Sequence, residues 1–147
     1  KIDSKIDLNL LQATCLLHDI HFTKYKPSIR NWLREGTLLP RMLPSIVKQF
    51  KLNESDRYLL SEAVYHHTFS FPFKRLNQKY SLYAQIVQDA DTLDFLSEIR
   101  IFDLKKNKKK FKLYRFLSLF SGLATYARNR IKNWLNLPEI IDFLNEE

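Results

Sequence analysis

Glycine occupies only two of the 147 positions, Gly36 and Gly122. Tight hairpin turns draw heavily on glycine, so a β-sandwich or barrel is disfavoured. A glycine-rich phosphate loop is excluded on the same ground. The chain must fold through elements that need few tight turns, and its apolar residues recur at helical spacing. Leu8, Leu11, Cys15 and Leu16 fall on one face of a helix reaching about Ile20. Ser28 can cap a short helix that stops at Gly36, and Pro44 can open another over Ser45 to Phe50. Asn53 can cap a helix from Glu54 to about His67, with Tyr58, Leu59, Ala63 and His66 within its periodic face. Ser70 to Pro72 is a break. A long helical pattern runs from about Ser81 to Ile101, and a second from about Tyr114 to Trp134. Pro138 suits the first position of a last helix, with Glu139 in its first turn. These patterns predict an all-α fold in one domain, with a motif-bearing core over about 8–100 and C-terminal helices over about 112–147.

An apolar fraction of 45% can supply a core and is too high for a disordered chain. No apolar run approaches the roughly 18–20 residues that span a bilayer. Lys1 to Asp7 is charged and does not read as a signal peptide. The single cysteine, Cys15, fits a reducing compartment and is expected to be a small buried core residue. Together these features predict a cytoplasmic location and no membrane partner. Lysine and arginine exceed the acids by 24 to 16, a net charge of +8. Such a balance suits a phosphorylated small molecule, a nucleotide or a nucleic acid.

Three clusters carry chemistry. His18-Asp19 ends the first apolar segment. Neighbours on a helix point about 100° apart, so the two side chains can straddle one ion. His66-His67 ends a helix with an apolar face, so at least one ring is expected to turn inward. The third cluster is Asp89-Ala90-Asp91-Thr92-Leu93-Asp94, with carboxylates embedded among Ile86, Val87, Phe95 and Leu96. Asp91 and Asp94 share a face at i, i+3, while Asp89 points largely away from Asp91. Burying a carboxylate is costly unless a cation or hydrogen-bond donors compensate it. Any one cluster carries little information; their order along the chain carries more.

That order, His-Asp, then His-His, then Asp-Ala-Asp-x-Leu-Asp, resembles the HD-domain superfamily of metal-dependent phosphohydrolases. The matching segments are Leu16-Leu17-His18-Asp19-Ile20, Ala63-Val64-Tyr65-His66-His67 and Ala90-Asp91-Thr92-Leu93-Asp94, within roughly residues 8–100. The resemblance implies an HD-like bundle of about six to seven helices. It implies a divalent metal (Mn²⁺, Mg²⁺, Fe²⁺ or Zn²⁺) held by His18, Asp19 and Asp91, with His66 or His67 in a catalytic role. The family also has a histidine ligand some tens of residues before the His-Asp pair. None of the 17 residues before His18 is a histidine. That ligand lies upstream of Lys1 in a truncated chain, is missing from a divergent one, or has moved in a permuted one. The Gly-Lys that often follows the pair is also lacking: the sequence runs His18-Asp19-Ile20-His21-Phe22. His21, Lys24, Lys26 and Asp94 are then the candidates for contact with substrate.

Three functions are compatible with this pattern. The first is a metal-dependent phosphohydrolase acting on a phosphate ester or nucleotide. The second is a nuclease resembling the HD domains of CRISPR effectors, acting on single-stranded nucleic acid. The third is a degenerate HD fold that binds without catalysis. The run Lys105-Lys106-Asn107-Lys108-Lys109-Lys110-Phe111-Lys112 reads either as a solvated loop or as a strip that contacts phosphates. Phe111, Tyr114 and Phe116 beside it are at a spacing that suits helix packing.

Overall fold

A computed structural model describes residues 6–26, 28–67, 80–110, 112–119, 126–127 and 129–146. The expected break at 70–72 lies outside them, as does residue 111. Every regular element among the described residues is helical. None is long and apolar enough to cross a membrane.

Helix α1 spans Leu8–Leu17 and is capped by Asp7, whose Oδ1 accepts from the amides of Asn9 and Leu10. Its buried face is Leu10, Thr14 and Leu17, not the Leu8–Cys15 face. Apolar residues lie all round this helix, so periodicity alone does not choose its inner side. Cys15 is exposed, which corrects the expectation of a core thiol. After α1 the chain turns through residues 18–20 into a one-turn helix α2, His21–Lys24.

Ser28 does accept from the Asn31 amide at the start of α3, Ile29–Leu33. Gly36 does not stop a helix, and Pro44 does not open one: both lie inside α4, Glu35–Val47. The reason is positional. Gly36, Pro40 and Pro44 follow each other at i, i+4, i+8 and are all exposed. The two carbonyls that lack an amide partner because of the prolines therefore lie on the solvent side of the helix. The opposite side buries Glu35, Leu38, Leu39, Leu43 and Val47.

Helix α5, Glu54–Tyr65, is capped as expected by Asn53, which accepts from the Asp56 amide at 2.8 Å. It buries Leu60, Ala63 and Val64, while Tyr58 is exposed. The long pattern over 81–101 is two helices, α6 over Leu82–Leu96 and α7 over Glu98–Asn107. Ser97 is extended (φ −66°, ψ 150°) and caps α7, which breaks the run. The lysine run is not one loop. Lys105 and Lys106 end α7, residues 108–110 form a turn, and Lys112 opens α8, Lys112–Ser118. A 3₁₀ turn at Ile131–Asn133 precedes α9, Pro138–Glu146, which starts at the expected proline.

The main core gathers Leu10 and Leu17 of α1, Leu39, Leu43 and Val47 of α4, Leu60, Ala63 and Val64 of α5, and Tyr83 and Ala84 of α6. A smaller cluster joins Leu96, Ile101 and Ala127. The C-terminal segment is fixed to α6 by polar contacts. Fully buried Asp89 accepts from the Asn136 amide at 2.8 and 3.0 Å, from Asn136 Nδ2 at 2.8 Å, and from the Leu137 amide at 2.9 Å. Gln88 donates to the His66 carbonyl at 2.5 Å and accepts from Asn136 Nδ2 at 3.0 Å. One carboxylate thus holds the approach to α9, while its neighbour holds the end of α5.

Removing the Asp89 carboxylate would leave the part-buried Asn136 and Leu137 donors without their acceptor at once. Asp89→Ala is expected to destabilise the fold by roughly 3 kcal/mol. The measurement is a urea denaturation midpoint. An unchanged midpoint would show that this clamp contributes nothing.

Candidate metal centre

Helix ends, rather than helix sides, build the site. His18 and Asp19 leave α1, His21 opens α2, Glu35 opens α4 and His67 follows α5. Asp91 comes from the middle of α6. Helix termini leave backbone carbonyls without intrahelical partners, and two of these orient the histidines. His18 Nδ1 lies 2.6 Å from the Cys15 carbonyl, and His67 Nδ1 lies 2.7 Å from the Val64 carbonyl. A carbonyl only accepts, so each Nδ1 carries the proton and donates. In the neutral form each Nε2 then keeps its lone pair, and both Nε2 atoms face carboxylates.

His67 Nε2 is 2.9 Å from Glu35 Oε1 and 4.0 Å from Asp19 Oδ1. His18 Nε2 is 3.5 Å from Asp19 Oδ2. The two imidazoles meet edge to face, with centroids 5.2 Å apart. His21 is fully buried, with Nδ1 3.7 Å from Glu35 Oε1. Donor atoms of Asp19, Glu35 and His67 all lie within 4.8 Å of one another. Asp19 is half exposed, whereas Glu35 and His67 are buried, so the cluster opens to solvent on the Asp19 side.

The electrostatics record the crowding. Burial lowers the proton affinity of His67. The ion pair with Glu35, the Val64 carbonyl and the Asp91 charge outweigh this and raise its pKa to about 9. Asp91 moves the other way from an ordinary ion-paired acid. Burial raises its pKa, His67 and His18 oppose the rise, Asp19 and Glu35 add to it, and the result is about 6. Burial, with the His67 and His18 charges, holds His21 toward its neutral form against the pull of Glu35 and Asp19.

This donor set fits a divalent cation. Two carboxylates, Asp19 and Glu35, converge on His67, whose Nδ1 is already committed to a carbonyl, the second layer common around metal-binding histidines, while His18 and Asp91 lie close enough to interact with the group electrostatically. Both ring nitrogens of His21 and Oε1 of Glu35 are buried and lack a well-aligned hydrogen bond. Without an ion, the proton on His67 supplies the positive charge that the carboxylates need.

Of the residues singled out in the sequence, His18, Asp19, His21, His67 and Asp91 come together. The others do not join them. The His66 ring stacks on Tyr80 at 3.8 Å and 12°, and burial lowers its pKa against the pull of Glu62. Asp94 pairs with Arg100 through Nε at 2.8 Å and through Nη2. Lys24 lies over the Tyr25 ring at 5.9 Å, and Lys26 is exposed with its carbonyl accepting from Asn31. Glu35 was missed. Its signal was a carboxylate at i−3 and i−4 from Leu38 and Leu39, on the apolar stripe of α4; reading Gly36 as a helix stop hid it.

The two raised pKa values set a pH dependence for the metal-free protein. His67 rises from 6.5, so its contribution is full below pH 6.5 and is lost as pH climbs through about 9. Asp91 rises from 3.8 to about 6, so its contribution is full below pH 3.8 and is lost as pH climbs through about 6. Between pH 6.5 and 9 the His67 contribution dominates. In EDTA, stability measured by urea denaturation should fall across that window by roughly 3 kcal/mol at most. His67→Gln should flatten the profile, and a flat wild-type profile would refute the pairing.

No curated protein and no solved structure matches this chain closely enough to be counted as a relative. The family model described as HD domain matches residues 1–96, a stretch that contains all six residues of the cluster. With the helical fold and the His18-Asp19 and Asp91 positions, that match identifies the chain as a member of the HD-domain family.

Proposed function

We propose that this chain is a metal-dependent phosphohydrolase acting on a phosphate ester or nucleotide. The observation that carries the reading is the fixed orientation of His67. Its Nδ1 is tied to a backbone carbonyl, and its Nε2 points into the space shared by Asp19 and Glu35. His18, Asp19, Glu35, His67 and Asp91 would hold the ion. When bound, a divalent ion supplies Lewis-acid polarisation of a phosphoryl group and makes water a competent nucleophile near neutral pH.

The chain's own residues supply the rest. Half-exposed Asp19 is the entrance through which a phosphate reaches the buried groups. His18, tethered to the Cys15 carbonyl, keeps its ring edge against His67 and limits how either can rotate. Burial raises the Asp91 pKa to about 6 in the metal-free protein, and a bound cation would hold its carboxyl ionised as a ligand. His21 buttresses Glu35 from the buried side. The roles of Lys24, Lys26, His66 and Asp94 as substrate contacts or catalytic groups find no support in this geometry.

The test is hydrolysis of p-nitrophenyl phosphate and bis-p-nitrophenyl phosphate with Mn²⁺, Mg²⁺, Fe²⁺ or Zn²⁺. Turnover should vanish in EDTA and return with metal. Glu35→Gln and His67→Gln should each lower kcat/KM by about 100-fold, the scale on which a displaced ligand or its orientation costs activity. Calorimetry should show weaker metal binding in both variants. No turnover with any of the four ions would defeat the proposal.

A further inference from the structure

The lysine run forms a concave basic site that the metal centre does not use. The turn carrying Lys108, Lys109 and Lys110 faces Lys112 and Arg115 across a cleft of about 600 Å³. Lys112 and Arg115 stand at i, i+3 on α8, so they share one face and are about 4.5 Å apart along the helix. Ser118 continues that face, and Leu119, 77% exposed, closes the lining. No carboxylate lines the cleft, and none of its five cations makes an ion pair among the described residues. Five like charges in eight residues repel one another, and no ion pair among the described residues neutralises them. Helix α8 also packs against α3, which leads directly into Glu35.

We infer that this cleft is a binding site for the backbone of a single nucleic-acid strand. Closely spaced cations, unpaired and aligned along a turn and a helix face, match a chain of successive phosphates. The concavity favours a strand that can bend into it over a rigid duplex rod. Exposed Leu119 beside the cations gives the sugars and bases an apolar partner, which a chain of bare phosphates would not use. The inference rests on the charge and shape of the cleft and does not depend on the proposed hydrolase activity.

The probe is a 5′-fluorescein-labelled 20-nucleotide oligo(dT), titrated with the full chain in EDTA and followed by anisotropy. Binding should weaken with salt, with a log–log slope of about −3 for four or five phosphates on a single strand. Lys108→Gln/Lys109→Gln/Lys110→Gln should raise Kd at least tenfold and make the slope shallower. The charge-matched control Arg41→Gln/Lys48→Gln/Lys51→Gln, at exposed positions on and after α4, should leave Kd within twofold. All six positions are on the surface, and circular dichroism checks the fold of each variant. No measurable binding at low salt overturns the inference, as does an equal loss in the control variant, which would make net charge the cause. Tighter binding of the matching duplex, or equal binding of a poly-glutamate of the same charge, overturns the single-strand assignment.

Discussion

Glu35 and His67 meet at 2.9 Å where helices α4 and α5 converge, and the arrangement around them depends on that contact. Both side chains are largely withdrawn from water, so each charge needs the other or a bound cation. Glu35 can reach His67 only because α4 begins at residue 35, and His67 can present Nε2 only because Val64 holds Nδ1. Asp19, His18 and Asp91 then gather around a pair already fixed. A metal entering here would compete with the proton on His67, which would link occupancy of the site to protonation of the fold.

Helix α6 shows how one element divides three carboxylates among three tasks. Successive residues rotate by about 100°, so Asp89, Asp91 and Asp94 leave the helix in different directions. Asp89 enters the interior and meets the Asn136 and Leu137 amides. Asp91 faces the histidine cluster. Asp94, only about 60° from Asp91, has already reached the surface and pairs with Arg100. Sharing a face at i, i+3 was therefore not enough to share a site. Arg100 follows the break at Ser97, and that break is what brings its guanidinium back over Asp94.

Much of the fold was legible because caps and prolines act locally. Asn53, Ser81 and Pro138 each start a helix where the sequence places them. His18, Asp19 and Asp91 were legible as a candidate set through their order, and only a resemblance could join them. What the sequence hid were choices made by tertiary contact. Which side of α1 faces inward is set by α5, so Cys15 turned out and Thr14 turned in. His66 and His67 are adjacent, yet at the end of α5 they part company, one stacking on Tyr80 and the other entering the cluster. Glu35 was invisible because local propensity argued against the helix that carries it.

The cost of that helix explains why the site and the core cannot be separated. A proline in a helix interior costs about 3 kcal/mol, so Pro40 and Pro44 together oppose α4 by roughly 6 kcal/mol, less where the freed carbonyls meet water. Against this, Leu38, Leu39, Leu43 and Val47 are almost fully buried. At about 1.5–3 kcal/mol each, their burial contributes roughly 6–12 kcal/mol. The balance favours the helix only when its partners are in place, because the burial exists only in the assembled core. The position of Glu35 is thus a consequence of tertiary packing. Loosening the Leu39–Leu43 contacts should disturb the Glu35–His67 contact before it disturbs α5, which has a side-chain cap at Asn53 and no interior proline to oppose it.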